Sequence, residues 1–495
     1  MADRIADIIV VGAGNAAFCA ALAAAEAGAK VLMLEAAPEH EAGGNSRFTA
    51  GAMRVTYDGV DDIKMLVPDL TPAETAGTDF GAYPAVQFFD DMARVTRHRA
   101  DPDLVELLVT RSFATLNWMR EKGVRFIPIY GRQAFKIDGK FTFWGGLTVE
   151  AVGGGPGLLA MLMEAAQKRG VDISYGTRAR DLLFDGNRVE GVRARHDGAL
   201  REWRAQSVVL ACGGFEANAE WRTRYLGPGW DLAKVRGSRF NTGDGIRMAL
   251  DIGASPCGNW SGCHAVQWEI NAPEFGDLAV GDQFQKHSYP FGIMVNAAGQ
   301  RFVDEGADFR NYTYAKYGRV VLEQPGQFAW QVFDGKVKHL LREEYKIRQI
   351  TKVTADTIEE FARKLDGVNA AAFLKTVAEW NAAVRRDVPF HPNIKDGRGT
   401  RGLAVDKSNW ANTIDTPPFE GYAVTCGITF TFGGLRINSA AAVLDADQRP
   451  IRGLYAAGEL VGGLFYFNYP GGTGLTSGAV FGRIAGTAAA QAARH

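Results

Sequence analysis

The sequence predicts an α/β fold with a Rossmann-like nucleotide-binding sheet, and three observations predict it. A strand, a glycine turn, an alanine-rich helix and a second strand follow one another within residues 7–35. Two later apolar runs, at 207–218 and 453–463, also read as strands that end in glycines. A glycine-rich loop then leads into a helix at 469–486. Strands and helices in this order are typical of α/β proteins.

Length and composition limit the class of protein. A chain of 495 residues is too long for one compact core, so we expect two or three domains. The composition is 46% hydrophobic and 22% charged with a net charge of -1, which gives no basic excess for nucleic acid or an anionic membrane. The 59 glycines occur in short groups, which indicates close backbone approaches to a ligand.

The cysteines and the N-terminal residues indicate the compartment. Five scattered cysteines without a CxxC motif predict no disulfide framework, zinc site or iron–sulfur cluster, so we expect a reducing cytoplasm and no bound metal. The chain runs through Asp3, Arg4 and Asp7 directly into a strand, unlike a signal peptide. No run of about 18 apolar residues predicts a membrane span.

The first motif predicts a dinucleotide site. It reads Gly12-x-Gly14-x-x-Ala17, between the apolar run DIIVV and the helix. Gly12 permits a tight turn, Gly14 leaves room for a pyrophosphate, and Ala17 lets the helix pack closely on the sheet. The helix N-terminus attracts phosphate. Glu35 ends the second strand and can accept hydrogen bonds from a ribose diol, which a purely structural Ala-rich helix would not explain.

Three later segments favour FAD over NAD. GGNSRFTAGAM (43–53) is a loop suited to wrapping a large cofactor, and the strands at 207–218 and 453–463 add two further glycine ends. The helix after NYPGGTG can offer backbone N–H groups to the pyrimidine edge of a flavin. No second GxGxxG motif follows a strand, so we expect no internal NAD(P)H domain.

These elements resemble the flavoprotein family of fumarate reductases, succinate dehydrogenases and 3-ketosteroid dehydrogenases, over nearly the whole chain. Within it, GGNSRFTAGAMR, RFVDEGADFRNYTYAKYGR, GITFTFGGLRIN and NYPGGTGLTSGAVFGRIAG look most like FAD-dependent tricarballylate dehydrogenases. The resemblance implies an FAD-binding domain at 1–265 and 427–495. It also implies an inserted α+β capping domain at 266–426 that closes over the flavin.

The resemblance implies the cofactor-binding residues position by position. From the pyrophosphate and ribose to the flavin ring, they are Gly12, Ala13, Gly14, Asn15, Ala16, Glu35, Gly44, Asn45, Ser46, Gly51, Ala52, Ala179, Cys212, Gly213, Asp244, Glu459, Gly474, Leu475 and Thr476. Some members carry a histidine near GGNS that bonds covalently to FAD. No histidine lies between His40 and His98 here, so we expect non-covalent FAD.

The same resemblance makes Arg310 the expected proton carrier. It follows the GQRF element of residues 299–302, as the catalytic arginine of fumarate reductases does. A guanidinium has a pKa above about 12, so proton transfer by Arg310 needs help from its surroundings. It can also stabilise developing negative charge. The alternative interpretation is a surface cation paired with Asp304 or Asp308.

Other substrate-binding positions depart from the family pattern. His264 falls near the family's first substrate histidine, with an interior hydrogen-bonded histidine as the alternative. The second histidine becomes Thr429 or Phe430, and the second arginine becomes Tyr469. Tyr469 resembles the ketone-binding tyrosine of ketosteroid dehydrogenases. The catalytic candidates are therefore Arg310, His264 and Tyr469.

The usual proton path is expected to be absent or rebuilt, because its glutamate and arginine fall near Lys286 and Tyr289. Further cations from the cap are expected to be surface residues. These are Lys286, His287, Arg401 and Lys407.

The leading hypothesis is an FAD-dependent enzyme that forms or reduces a C=C bond next to a carboxylate or carbonyl by hydride transfer at flavin N5. Conversion of tricarballylate to cis-aconitate is the nearest family reaction. A ketone-activated dehydrogenase, or a flavin redox sensor or electron-transfer subunit, is the alternative. No haem motif or cluster cysteines occur, so we expect an external acceptor such as a quinone or a membrane iron–sulfur protein, with peripheral attachment at the inner membrane through that partner.

Overall fold

A computed structural model describes residues 5–144 and 146–494. Its strands, in chain order, are β1 (Ile8–Val11), β2 (Val31–Leu34), β3 (Ala52–Met53), β4 (Thr78–Asp79), β5 (Phe126–Pro128), β6 (Ala134–Ile137), β7 (Lys140–Phe143), β8 (Val149–Ala151), β9 (Asp172–Ser174), β10 (Arg178–Phe184), β11 (Val189–His196), β12 (Ala199–Arg204), β13 (Ser207–Leu210), β14 (Lys234–Val235), β15 (Pro256–Glu269), β16 (Ile293–Val295), β17 (Ala329–Phe333), β18 (Lys352–Ala355), β19 (Phe419–Leu435), β20 (Ala442–Leu444) and β21 (Pro450–Ala456).

The α-helices of the same residues, in chain order, are α1 (Asn15–Glu26), α2 (Val60–Leu66), α3 (Pro72–Ala76), α4 (Ala85–Thr96), α5 (Pro102–Glu121), α6 (Tyr130–Gln133), α7 (Gly154–Lys168), α8 (Ala219–Trp221), α9 (Asp244–Asp251), α10 (Tyr314–Leu322), α11 (Ile358–Lys364), α12 (Ala370–Ala383) and α13 (Thr473–Ala492). None of the helices in the described residues is long and apolar enough to cross a membrane.

The central sheet confirms the predicted Rossmann-like α/β fold. Its strand order is β20-β21-β13-β1-β2-β9. The pairs from β21 to β9 are parallel, and β20 is antiparallel at the edge. Every residue of β1, β2 and β13 is buried, because helices and loops cover both faces of the sheet. The apolar run predicted at 207–218 thus pairs with the first strand, and the run at 453–463 pairs with the far side of the 207–218 run.

Helix α13 packs directly on α1, and small residues permit the close approach. A Cβ added at Gly482 would lie 2.5 Å from the carbonyl oxygen of Ala16, and one at Gly486 would overlap the carbonyl oxygen of Ala20. The facing side of α1 consists mainly of buried alanines. The end of the chain is therefore held against the first helix.

A second sheet carries the two longest strands. Its order is β14-β19-β17-β16, and β15 and β18 also pair with β19. β15 and β19 run antiparallel from Pro256 opposite Leu435 to Glu269 opposite Val424. The predicted domain boundaries, at 265/266 and 426/427, fall within these two strands, and the division into domains stays a prediction.

A β-bulge interrupts the regular pairing of β15 and β19. His264 pairs with Phe430 and Ala265 pairs with Ile428, which leaves Thr429 as an extra residue of β19. Such a bulge redirects neighbouring side chains and is common next to active sites. Beyond it, α11 and α12 pack on the other end of this sheet around Trp330, Phe361 and Trp380.

We expect Gly482→Ala and Gly486→Ala to lower the free energy of unfolding by about 1–3 kcal/mol each, because the added methyl overpacks the α1–α13 contact. Denaturant unfolding followed by circular dichroism measures the change. Gly59→Ala is the matched control, since a Cβ there meets nothing within 4 Å. Equal stability of all three variants would contradict the close packing.

Candidate active site

One long cavity lies at the carboxyl ends of β1, β2 and β13 and extends to the bulge between β15 and β19. The predicted site residues that line it are Gly12, Ala13, Gly14, Asn15, Ala16, Glu35, Gly44, Asn45, Ser46, Ala52, Ala179, Cys212, Gly213, Asp244, His264, Arg310, Glu459, Tyr469, Gly474 and Leu475. Two predicted residues are not among its lining. A Cβ on Gly51 would lie 2.7 Å from the backbone of Gly154, and the hydroxyl of Thr476 donates to the carbonyl oxygen of Arg54 at 2.8 Å.

Two helix N-termini meet at one wall of the cavity. The side-chain amide of Asn15, at the start of α1, donates to the carbonyl oxygen of Leu475 in α13 at 2.8 Å. The backbone N–H of Asn15 donates to the hydroxyl of Ser46 at 3.1 Å. Helix N-termini carry partial positive charge and free N–H groups. This wall therefore suits phosphates and other electron-rich groups.

Two acidic residues mark the nucleotide end. Glu35 follows β2 and accepts a hydrogen bond from the backbone N–H of Ala37 at 2.8 Å. Burial raises the pKa of Glu35, while backbone N–H groups oppose that rise. Asp244 begins α9 and accepts from the Nε of Arg178 at 2.7 Å. Arg178 also lines the cavity and was missed by the sequence analysis.

A pair of buried carboxyl groups lies beside the cavity. Glu459 lines the cavity and accepts from the backbone N–H of Thr431 at 2.8 Å. Glu216 accepts from the side-chain amides of Asn45 at 2.5 Å and Asn241 at 2.6 Å. Burial, followed by the neighbouring Glu216, raises the pKa of Glu459 well above its ordinary value. The protonated form of Glu459 is therefore favoured relative to a carboxyl in water, and in that form it can donate as well as accept a hydrogen bond.

Arg310 occupies the opposite end of the cavity, in a short 3-10 turn immediately before α10. Its Nη1 donates to Nδ1 of His287 at 3.0 Å, and its Nη2 donates to the carbonyl oxygen of Arg132 at 2.8 Å. Burial lowers the pKa of Arg310, Glu344 opposes this, and Arg132 adds to the lowering. The guanidinium is thus easier to deprotonate than one in water.

The surface-cation interpretation of Arg310 is wrong, because both candidate acids have other partners. Asp308 accepts from Nη1 of Arg94 at 2.7 Å. Asp304 accepts from the backbone N–H of Ser408 at 3.0 Å and of Gly306 at 2.9 Å. Arg310 bonds instead to groups at the cavity.

Residues of α4 hold the turn that carries Arg310. The hydroxyl of Tyr312 donates to Asp91 at 2.6 Å, and Nη2 of Arg94 donates to the same carboxylate at 3.0 Å. Arg94 also binds Asp308, so the residues on both sides of Arg310 are attached to one helix. More than 200 residues separate α4 from this turn, and no local sequence pattern predicts the contact.

Two more arginines reach the same end of the cavity. Arg132, in α6, lies 3.0 Å from Asp282, and Arg236 lies 3.7 Å from the same carboxylate. All three residues line the cavity. Burial alone would lower the pKa of Arg132, but the nearby carboxylates, of which Asp282 acts most strongly, together outweigh burial and the pKa of Arg132 is raised. Together with Arg310, three guanidinium groups and the carboxylate of Asp282 line this end of the cavity, while Glu344 and Glu150, outside the lining, also act electrostatically on Arg132.

His264 and Tyr469 lie between these arginines and the glycine-rich wall. The ring of His264 is 1% exposed and packs 4.9 Å from the ring of Tyr314 and 4.8 Å from that of Tyr469. Neither of its nitrogens has a hydrogen-bond partner among the described residues, so the alternative of an internally bonded histidine is wrong. Burial, with Arg236, keeps the pKa of His264 well below its ordinary value, and the ring is neutral.

The hydroxyl groups of Tyr469 and Tyr314 lie 2.5 Å apart. Burial raises the pKa of both tyrosines, so both remain neutral and share one hydrogen bond. Either hydroxyl can turn its remaining lone pairs or proton to a ligand in the cavity. Phe430, one of the two residues that fall at the place of the family's second histidine, packs edge-on against Tyr469 at 5.2 Å.

The surface prediction is wrong for three of the four cap cations. Lys286, His287 and Lys407 are buried, whereas Arg401 is exposed. The ammonium of Lys286 donates to the carbonyl oxygens of 283–285, and burial lowers its pKa to about 8. Lys407 donates to the carbonyl oxygens of 290 and 292. Only His287 of these four is bonded to Arg310 in the described part of the chain.

We expect Arg94→Ala to speed amide hydrogen exchange of residues 308–312 severalfold, because it frees Asp308 and one side of Asp91. Hydrogen-exchange mass spectrometry measures the change. Arg94→Lys, which keeps the charge, should restore part of the protection. Arg111→Ala removes an exposed cation of α5 and is the matched control. Unchanged exchange in Arg94→Ala would show that α4 does not hold the turn.

Comparisons with known proteins agree with this geometry. The profile of the FAD binding domain family matches residues 7–475. A probable fumarate reductase of Shewanella frigidimarina (strain NCIMB 400) is 32% identical over 494 residues, which cover 98% of this chain and 74% of the relative. A 3-oxosteroid 1-dehydrogenase of Mycolicibacterium smegmatis is 26% identical, covering 97% and 96% of the two chains. The open conformation of a flavocytochrome c3 fumarate reductase aligns with a TM-score of 0.74 and 29% identity, over 100% of this chain and 79% of that one.

Proposed function

Because the chain belongs to the FAD-binding family of fumarate reductase-type flavoproteins, we propose that it forms or reduces the carbon–carbon double bond of a small polycarboxylic acid. It is an FAD-dependent oxidoreductase of the class that acts on CH–CH groups. The finer proposal is a tricarballylate dehydrogenase-like reaction between tricarballylate and cis-aconitate. One observation carries it: three guanidinium groups line the reactive end of the cavity against one carboxylate.

The residues of the cavity fit FAD. Gly14, Gly44 and Gly474 line the cavity, and a Cβ added at any of them would have no neighbouring atom closer than 3.4 Å. These glycines therefore leave space at the cavity surface for a bound cofactor. The N-terminus of α1 would hold the pyrophosphate, Glu35 the adenosine ribose and Glu459 a ribitol hydroxyl. The N-terminus of α13 would face the pyrimidine edge. When bound, FAD supplies the hydride acceptor or donor. We propose that it is held non-covalently.

The charge of the reactive end favours more than one carboxylate. Among the residues that line this end, Arg132, Arg236 and Arg310 carry three positive charges and Asp282 carries one negative charge. Glu344, which does not line the cavity, attracts Arg132 and Arg310 as well. The two nearby histidines are neutral. Arginine binds carboxylates through paired N–H groups, and buried charge is stabilised when it is matched. A substrate with two or three carboxylates would complete this balance, while an uncharged substrate would leave it incomplete.

The position and pKa of Arg310 suit it to move the proton of the reaction. Removal of a proton from the carbon next to a carboxylate builds negative charge, which a nearby guanidinium stabilises. Burial and Arg132 both lower the pKa of Arg310 and so ease proton transfer at its nitrogens. The partners at His287 and at the carbonyl oxygen of Arg132 orient the guanidinium toward the cavity. Phe430, Phe465 and Tyr469 line the same cavity and give it aromatic surface.

We expect Arg310→Lys and Arg310→Gln to lower turnover of tricarballylate by at least about 100-fold, because both remove the oriented guanidinium from the reacting carbon. FAD content should stay near that of the unaltered protein, since the nucleotide end of the cavity is untouched. Steady-state assays with an artificial electron acceptor measure turnover. Acid precipitation followed by absorbance of the supernatant measures FAD and tests its non-covalent binding. Near-normal turnover in Arg310→Gln would refute the proton role.

A ketone-activated dehydrogenase is the second candidate, and the Tyr469–Tyr314 pair favours it. A buried neutral hydroxyl pair can donate to a substrate ketone oxygen and stabilise an enolate. The relative named 3-oxosteroid 1-dehydrogenase agrees with this possibility. The three arginines disfavour an uncharged substrate. In this alternative, the aromatic side chains of Phe430 and Phe465 would contact the apolar substrate directly.

We expect Tyr469→Phe to reduce turnover severalfold with tricarballylate and far more with a saturated 3-oxosteroid, because only the ketone needs the hydroxyl as its oxyanion donor. Anaerobic bleaching of the flavin by each compound separates the two candidates in the unaltered protein. Bleaching by the steroid and not by the tricarboxylate would reverse the assignment. Reoxidation by a soluble quinone then tests our proposal that an external quinone or iron–sulfur partner accepts the electrons.

A further inference from the structure

His287 is the residue of the reactive end whose chemistry the sequence analysis missed. It lies between β15 and β16, lines the cavity and is 2% exposed. Its Nδ1 is 3.0 Å from Nη1 of Arg310, and its ring packs edge-on against Tyr314 at 5.0 Å. The side chain is therefore fixed on two sides by groups that also line the cavity.

The hydrogen bond to Arg310 determines the tautomer of His287. A guanidinium has donors and no acceptor, so Nδ1 of His287 must be the acceptor and carries no proton. Burial, followed by Arg310 and Arg236, holds the pKa of His287 well below its ordinary value, and the ring is neutral. The single ring proton is consequently on Nε2.

The Nε2–H group of His287 lacks an acceptor among the described residues. Leaving a buried donor unpaired costs about 1–3 kcal/mol, so such a donor beside a cavity calls for an acceptor in the ligand. We propose that His287 donates from Nε2 to a substrate carboxylate oxygen while its Nδ1 holds Arg310, so that one imidazole links substrate recognition to the catalytic guanidinium. This proposal rests on the carboxylate substrate class of the proposed function.

This assignment accounts for a departure in the strand β19. Thr429 or Phe430 stands where the family pattern has its second substrate histidine. Phenylalanine has no hydrogen-bonding group, and the hydroxyl of Thr429 already accepts from Nη1 of Arg236 at 3.4 Å. His287 supplies a second imidazole from a different segment, and His264 is the first. Because both rings are neutral, they add directed donors without adding charge to the three arginines. They thereby specify where carboxylate oxygens lie rather than how many charges the substrate carries.

Two substitutions separate the roles of the ring nitrogens. In His287→Asn, the amide oxygen can accept from Arg310 near the place of Nδ1, but no donor reaches the place of Nε2. In His287→Gln, the longer amide can place a donor near Nε2, but the acceptor for Arg310 is displaced. Each oxidised holoenzyme is titrated anaerobically with cis-aconitate, and the change in the flavin spectrum gives Kd, while steady-state turnover of tricarballylate gives kcat.

We expect His287→Asn to raise Kd about tenfold, since a lost hydrogen bond to a charged group is worth about that factor. His287→Gln should raise Kd less and lower kcat more than His287→Asn does. His98→Asn is the matched control, because His98 is exposed and does not line the cavity. This variant should bind cis-aconitate with the Kd of the unaltered protein.

A measurement on the unaltered holoenzyme keeps the proposal falsifiable if the variants do not fold. With ¹⁵N-labelled histidine, the Nε2 resonance of His287 should report a protonated nitrogen and shift when cis-aconitate saturates the site. Equal Kd in His287→Asn, or an Nε2 signal that does not respond to a bound acid, would overturn the proposal. If neither acid perturbs the flavin of the unaltered protein, the proposed function itself is wrong.

Discussion

The close packing of α1 against α13 is the contact on which the rest of the cavity depends. Backbone meets backbone there, since a methyl at Gly482 or Gly486 would overlap carbonyl oxygens of α1. The contact brings two helix N-termini to one wall, where the amide of Asn15 bonds to Leu475. A nucleotide wall made from residues about 460 apart therefore behaves as a single rigid surface. The parallel strands β1, β13 and β21 support it from below.

The reactive end is held by a different principle, the partial compensation of buried charge. Asp282 pairs with Arg132 and Arg236, while Arg310 has only neutral partners at His287 and a backbone carbonyl. Desolvated cations without full compensation are unfavourable in the empty protein. The same excess of positive charge attracts an anionic ligand to this end of the cavity. Attachment of the Arg310 turn to α4 prevents the guanidinium from escaping to water.

Local spacing predicted Gly12, Gly14 and Glu35, because these residues lie within one strand–turn–helix–strand unit, whereas Asn45 and the more distant residues followed from the family motifs. Gly12, Gly14, Glu35 and Asn45 all line the cavity as expected. Gly51 and Thr476 do not, because Gly51 faces the backbone of Gly154 and the hydroxyl of Thr476 donates to the carbonyl oxygen of Arg54.

The reactive end was predicted only in part. Arg310 was identified by a motif, but Arg132, Arg236 and His287 lie in segments without one. Their proximity arises from contacts between distant residues, which leave no periodic trace in sequence. The mistaken surface placement of Lys286, His287 and Lys407 followed the usual exposure of basic residues, which fails where carbonyl oxygens or a guanidinium satisfy them.

The contact between α1 and α13 also bears on how the protein is made. The alanine face of α1 is synthesised long before α13, so this face has no partner in the nascent chain until α13 has left the ribosome. Stable capture of the cofactor therefore has to wait until α13 has been synthesised, and a chain interrupted before α13 leaves that face of α1 uncovered.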